Sequence, residues 1–459
     1  MIFESMERGC CAMLKSITKI KYWGVLLIFT LFFTSCNKSS FSEQSVSSST
    51  VFPANSSTST TQSFDIPSEP KDLKFHLSTQ GATNENGYYE IILRSDGSGN
   101  IYYTDFSSKQ KLVLCSRPEC THDADGCTGY IACAANIPEI MVTDCSLVLI
   151  YPGNPYIGTT VEGDVLAHVE VRDLNGGNPR TIHRFDSNVQ LDFNFAFDDS
   201  HLYIFQSIVT DGTSSPTIEL LQLSLDTGDV NVLKQFAYKL GENYYFVGAS
   251  DRRLFFKKST IDETLLESTE GGGYSTSSIT NSLLFDLFSY DLTSGSEVVI
   301  KSWRAGETIQ NIFGNTCFFI NNGSIEMHNL QTGETTTVVS NQPYCSPDTI
   351  EQVYFAAPYL FYNIHYPADN PSDAVIKRYI CNIDSLKLHE STLVTSYRGI
   401  SDPVRILTST PEYLLVVYAL EDVSSQEMPN YYSSFKKKYA LCDIQSFVQN
   451  QPNYLPIIE

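Results

Sequence analysis

Short apolar runs separated by turn-forming residues fill the chain from about residue 68 to its end. Such runs stand at 88–93, 147–151, 202–205, 254–256, 317–320, 359–362 and 413–418. Each is too short for a helix and is bounded by Gly, Asn, Asp or Ser, as β-strands are. After each run the same four-residue pattern returns: Asp, Asn or Ser, then Leu, Ile or Phe, then any residue, then Ser, Thr or Gly. The seven copies begin at Asp105, Asp173, Ser224, Asp291, Asn329, Asn382 and Asp443. Gly177, Gly228, Gly295 and Gly333 directly follow four of them.

The pattern has the chemistry of a hairpin turn. A short polar side chain accepts a turn N–H, and glycine takes a positive φ. The apolar residue between them is expected to face inward. Most units also carry a further strand upstream, as at 193–197 before Asp198 and Asp199. Each unit therefore reads as three or four antiparallel strands. Radial repetition of such units makes a β-propeller. The copies recur every 38 to 68 residues, with a mean near 56, over 68–459. Seven four-stranded blades follow; six or eight are the alternatives, because the terminal units are the vaguest. Two stacked β-sandwiches are the competing architecture, and the regular hairpin pattern speaks against them. Residues 260–280 and 421–438 are expected as insertions.

Ahead of the repeats lies an address. Lys15, Lys19 and Lys21 flank an apolar run over 22–33. Twelve residues are too few to span a bilayer as a helix and suit a secretory signal. An initiation at Met13 gives the more conventional form. The run ends in Phe33-Thr34-Ser35-Cys36, which resembles a bacterial lipobox. The resemblance implies a signal peptide at 1–35 and a diacylated Cys36 as the mature N-terminus. An ordinary secretory signal or a signal anchor is the alternative. From Asn37 to Phe64, 15 of 28 residues are Ser or Thr, too polar to form a core. Residues 36–67 thus read as the lipidated cysteine and a flexible linker, with 68–459 as the propeller.

Charge narrows the partners. The 459 residues carry 30 basic and 52 acidic side chains, a net charge of −22. Such a chain repels phosphate backbones, so no nucleic-acid partner is expected. Anionic lipid repels it too, so the anchor rather than the domain holds it at the membrane. The expected location is the extracytoplasmic face of the cell membrane.

One segment stands out chemically. Cys115, Cys120, His122, Cys127 and Cys133 crowd nineteen residues. Three thiolates and an imidazole, from Cys115, Cys120, His122 and Cys127, are the donor set of a closed structural zinc site, with Cys133 a bystander. Disulfides and free thiols are the alternatives, since exported proteins keep disulfides. Cys145, Cys317, Cys345, Cys381 and Cys442 are scattered and expected as small buried hydrophobes.

Ile101-Tyr102-Tyr103-Thr104-Asp105 resembles the YWTD strand of receptor-type propellers, and the strand–turn–strand units resemble TolB-like propellers. The lipobox, the repeat and the segment Leu114-Cys115-x-x-Pro118-x-Cys120-x-His122 with Cys127 resemble a group of lipid-anchored propellers of anaerobic Gram-positive bacteria. That resemblance implies fold and place, but no activity.

Catalytic signatures are missing: there is no G-x-S-x-G, no H-E-x-x-H and no phosphate loop. His201 and His328 read as structural, and Asp198-Asp199 as a solvated turn. Tyr244-Tyr245 and Tyr431-Tyr432 suit blade interfaces better than ligand stacking. The leading expectation is a non-catalytic binding or scaffold module for a protein, peptide or glycan. A glycan-active hydrolase or lyase is the second, since its carboxylates come from separated strands. A sensor or accessory subunit of an envelope complex is the third.

Overall fold

Continuous apolar runs, rather than alternating ones, mean strands buried on both faces. Leu147, Val148, Leu149 and Ile150 are all fully buried. Leu147 and Leu149 pack with Tyr89 and Ile101 of the preceding unit, and Val148 and Ile150 with Phe195 and Ile204 of the following one. The computed structural model describes residues 73–459 apart from 78–80, 95–96, 116, 118, 125, 133–135, 156–164, 210–215, 237–241, 268–273, 311, 369–373 and 423–434. The expected signal peptide at 1–35, Cys36 and the expected linker at 36–67, together with Cys133 and Tyr431-Tyr432, lie outside the described residues.

Seven four-stranded antiparallel blades form a ring, a seven-bladed β-propeller. The blades span 82–113, 139–184, 189–236, 243–304, 308–339, 350–391 and 405–456. In each, the first strand lines the central channel and the fourth is outermost. Blade 3 has an extra innermost strand, Lys74–His76, paired antiparallel with Val189–Phe197. A hairpin of Val394–Tyr397 and Ile400–Pro403 separates blades 6 and 7. Of the two expected insertions, one holds the short helix Thr276–Ser282, while most of the other, between Asp422 and Phe435, lies outside the described residues.

The repeated pattern sits at one place in every blade. Its first residue is the last residue of the third strand, as in Gly99–Asp105, Leu283–Asp291 and Val375–Asn382. The Asp291 carboxylate accepts the N–H groups of Thr293 and Ser294 at 2.9 and 2.8 Å. Asn329 does the same for Gln331 and Thr332, both at 2.9 Å. The second residue ties two turns of the blade together. Leu225 N–H donates to Ser200, Leu292 to Arg252, Leu330 to Asn315 and Ile444 to Glu412. The positive φ falls on Gly228, Gly295 and Gly333 as expected, but in blade 2 on Gly176 rather than Gly177. Blade 2 closes its turn one residue early, with Gly176 N–H on the Asp173 carbonyl.

Among the described residues each blade is made of consecutive strands, and no strand exchange closes the ring. The C-terminal tail does it instead. Ile458 pairs in parallel with Gln110, on the outermost strand of blade 1. Lys111 N–H donates to Ile458 at 2.7 Å, and Ile458 N–H to Lys109 at 2.8 Å. The Lys111 ammonium is buried in this seam. It lies 2.8 Å from Glu90, 3.4 Å from Glu459 and 3.8 Å from the Tyr439 ring centroid.

Candidate metal centre and central channel

After Val113 the outermost strand of blade 1 stops and the chain loops out. It returns as Tyr130–Ile131, which pairs with Gly99 and Asn100 of the third strand. Both loop ends bond to one residue: Leu114 N–H donates to Ile101 at 2.8 Å, and Ile101 N–H to Gly129 at 2.7 Å. Within this loop the structure brings Cys115, Cys120, His122 and Cys127 together, with one potential ligand atom each and all four atoms within 4.8 Å of one another. Zinc–sulfur bonds of about 2.3 Å set donors about 3.7 Å apart around a tetrahedron, so small side-chain shifts complete the site. His122 Nδ1 already lies 3.3 Å from Cys127 Sγ. The imidazole thus faces the sulfurs, and no disulfide joins the described cysteines.

The loop backbone is arranged for these donors. His122 has a left-handed φ of 59°, which aims its carbonyl at blade 1. Asn100 Nδ2 donates to that carbonyl at 2.8 Å and Arg94 at 3.2 Å. Cys127 Sγ accepts Gly129 N–H at 3.3 Å. Burial pushes the Cys115 thiol up, but the N–H of Arg117, the thiols of Cys127 and Cys120, and the N–H of Thr128 together bring it down to about 6. Burial dominates at Cys127 and pushes it up to about 11, against the Gly129 N–H. Three thiolates and a dication leave a net −1. The Arg94 guanidinium bonds the His122 carbonyl, and the Arg117 guanidinium lies 3.1 Å from where a Cβ on Gly126 would stand, so two cations border the loop. The four residues therefore fit a thiophilic ion in a closed site.

The other cysteines divide. Cys317, Cys345, Cys381 and Cys442 are buried as expected, whereas Cys145 is exposed in the first turn of blade 2. Thr143 Oγ1 closes that turn by accepting the Cys145 and Ser146 N–H groups at 3.4 and 3.0 Å. His201 sits 3.5 Å from Asp198, and His328 bonds Thr335 at 2.9 Å, both structural. Asp198 caps its own turn through Ser200 and His201 N–H, both at 2.8 Å. Tyr244 packs against Phe236, with centroids 4.3 Å apart, between blades 3 and 4.

The central channel holds a group that the linear pattern did not mark. His76 is buried, and its Nε2 lies 3.0 Å from Glu139 Oε2 on the first strand of blade 2. Its ring stacks on Phe195 at 4.5 Å. Asp192 stands in a bulge of the first strand of blade 3. Burial pushes its carboxyl up to about 6, against the N–H groups of Phe193 and Asn194 and with help from the Glu139 charge. Burial also raises Glu139, against His76. At the mouth of the channel lies a cavity of about 510 Å³ lined by Leu73, Phe75, Phe313, Val353, Tyr354 and Phe355, with Lys74, Ser250, Asp251 and Asn315 among its polar groups.

No family model matches the chain, and no curated protein does. Solved structures do. A prolyl endopeptidase aligns with a TM-score of 0.52 at 7 % identity, over 84 % of this chain and 50 % of that one. The chain thus spans about half the length of that enzyme. An oligogalacturonate lyase in complex with manganese aligns at 0.41 and 12 % identity, over 80 % of this chain and 84 % of that one. A putative TolB from Agrobacterium tumefaciens aligns at 0.31 and 11 % identity, over 66 % and 88 %. At such identities these likenesses bear on fold alone.

Proposed function

We propose that this protein is a lipid-anchored propeller on the extracytoplasmic face of the membrane that binds a protein, peptide or glycan without transforming it. Cys36 is the anchor and 36–67 the tether. The observation that carries the binding role is the cavity at the channel mouth. Its 510 Å³ falls in the ordinary range of ligand sites. Its surface is more polar than apolar, with Lys74, Ser250, Asp251 and Asn315 beside the rings of Phe75, Phe313, Tyr354 and Phe355, which suits a polar ligand with an apolar face, such as a sugar or a peptide. Glycan and peptide arrays probed with residues 65–459 test it. Binding that is lost in Phe355→Asp supports the reading, and arrays without a reproducible ligand overturn it.

The Cys115, Cys120, His122 and Cys127 set belongs to the same reading as a structural zinc site. Ordering the thirteen residues from Cys115 to Cys127 costs about 1–2 kcal/mol each in backbone entropy. A structural zinc contributes about 10–16 kcal/mol, of the order needed. A closed site has no open position for substrate, so the ion has no catalytic part.

Glu139 and Asp192 favour a second reading, a glycan-active hydrolase or lyase. Two carboxyls raised by burial in one channel are candidates for acid–base work. Turnover of a captured glycan that is lost in Asp192→Asn while binding is kept would put this reading first.

A further inference from the structure

The metal loop stands where two different joints of the ring meet. The first is the outer edge of blade 1. The third strand of that blade is covered in two pieces, Gln110–Val113 over Tyr102 to Asp105 and Tyr130–Ile131 over Gly99 and Asn100. Sixteen residues, 114–129, connect the two pieces. Of the described residues among them, Leu114, Cys127 and Gly129 alone are buried. Between Leu114 and Gly129 the connecting loop therefore has little apolar packing of its own to fix its course.

The second joint is the seam between blades 1 and 2. Arg172, on the third strand of blade 2, is buried and donates to the Thr128 carbonyl, one residue beyond the ligand Cys127. Thr128 Oγ1 in turn donates to the Leu114 carbonyl at 3.1 Å, one residue before the ligand Cys115. The Leu114 side chain packs with Ile140, Leu147 and Leu149 of blade 2. The backbone of Gly176 abuts it, since a Cβ there would stand 3.1 Å from both Leu114 Cδ2 and its carbonyl oxygen. The residues flanking the first and last ligands are thus the ones that touch blade 2.

We propose that a zinc ion on Cys115, Cys120, His122 and Cys127 is the clasp of this corner of the ring. It locks the split outer edge of blade 1 and, through Leu114 and Thr128, presses that edge onto blade 2. The proposal rests on the zinc reading above and adds where the ion acts. Its loss frees the two edge pieces and the Arg172 contact together. Blades 4 to 6, across the ring, keep their packing.

Hydrogen–deuterium exchange with mass spectrometry tests this on the full chain, purified in detergent under reducing conditions without chelator. Metal content is measured on the same sample. About one zinc per chain is expected, and a zinc chelator should remove it. Removal should speed exchange at 110–131 and 168–176 by about tenfold or more, and leave 243–391 unchanged. Returned zinc should restore protection. His122→Ala should reproduce the chelated pattern, and Cys145→Ser should retain both zinc and protection. Chelation of the unaltered chain serves where His122→Ala does not fold. A reduced protein without zinc overturns the metal site itself. Zinc whose removal leaves 110–131 and 168–176 unchanged overturns the clasp and leaves the site standing. Equal acceleration in every blade also overturns the clasp, since the ion would then stabilise the ring as a whole.

Discussion

Replacing Lys111 with methionine probes how the ring closes. Lys111 is 3 % exposed, and its ammonium is the cation shared by Glu90 of blade 1 and Glu459 of the C-terminal tail. Methionine retains the packing of the stem and removes the charge. Glu90 then loses its ion pair and retains the Tyr439 hydroxyl, which donates to it at 3.2 Å. Burial, ahead of the Glu90 charge, pushes the Tyr439 phenol far up, so it stays a neutral donor. Glu459 keeps Lys436 as a partner. Removing one member of a buried pair costs about 3–5 kcal/mol, and the partners that stay place this case near 3 kcal/mol. Urea unfolding of residues 36–459 measures it, with Trp303 as the sole tryptophan. Trp303 is buried in blade 4, far in sequence from the closing seam, and reports cooperative loss of the ring. With a slope of about 3 kcal/mol per molar urea, the midpoint should fall by about 1 M. Adding Glu90→Gln should return part of the loss, since no buried carboxylate is then left without its cation. A loss below about 1 kcal/mol, or a double variant no better than the single one, would refute ion-mediated closure.

Three further outcomes are expected. Cys36→Ala should move the protein out of the detergent phase in phase-partition assays or leave it unprocessed; unchanged partitioning would count against lipidation. Gly228→Ala should destabilise the ring by about 3 kcal/mol in urea unfolding, because its φ of 76° disfavours a side chain and a Cβ would stand 2.0 Å from the Ile182 carbonyl; a change under about 0.5 kcal/mol would contradict that contact. Asp192→Asn should gain on the natural chain in relative stability between about pH 4 and 6. Burial raises the folded carboxyl from 3.8 to about 6, so the folded chain holds a proton there that the unfolded chain has released, and this contribution disappears as pH rises through 6. Parallel stability curves for the two proteins would show that Asp192 is not buried in the channel.

The blades were legible because their turns are made by single residues at fixed places. The Asp291 and Asn329 side chains close their turns on N–H groups two and three positions on, contacts that a local pattern can encode. The pattern misled by one residue in blade 2, where two glycines adjoin and either could take the positive φ. It placed the apolar member inward, where Leu225, Leu330 and Ile444 are buried, but did not announce the backbone contact made there. The Leu292 N–H reaches the Arg252 carbonyl, forty residues back, and only the folded blade brings the two turns side by side.

The candidate metal centre and the channel group differ in the same way. Cys115, Cys120, His122 and Cys127 lie within thirteen residues, so residue type and spacing suffice to nominate them. What arranges them is less local: Asn100 on the third strand of blade 1, and Arg94 just past the end of the second, hold the His122 carbonyl. His76 and Glu139 meet across 63 residues. They do so only because Lys74–His76 lies inside the ring along blade 3, within reach of blade 2. A three-residue strand before the first repeat carries no periodicity to announce that placement. The closing tail is equally inconspicuous, since Ile458 and Glu459 act only once blade 7 has delivered them to blade 1. In a propeller the repeat therefore writes the blades into the sequence. The contacts that make a ring of them, and that furnish its channel, come from the segments on either side of the repeat.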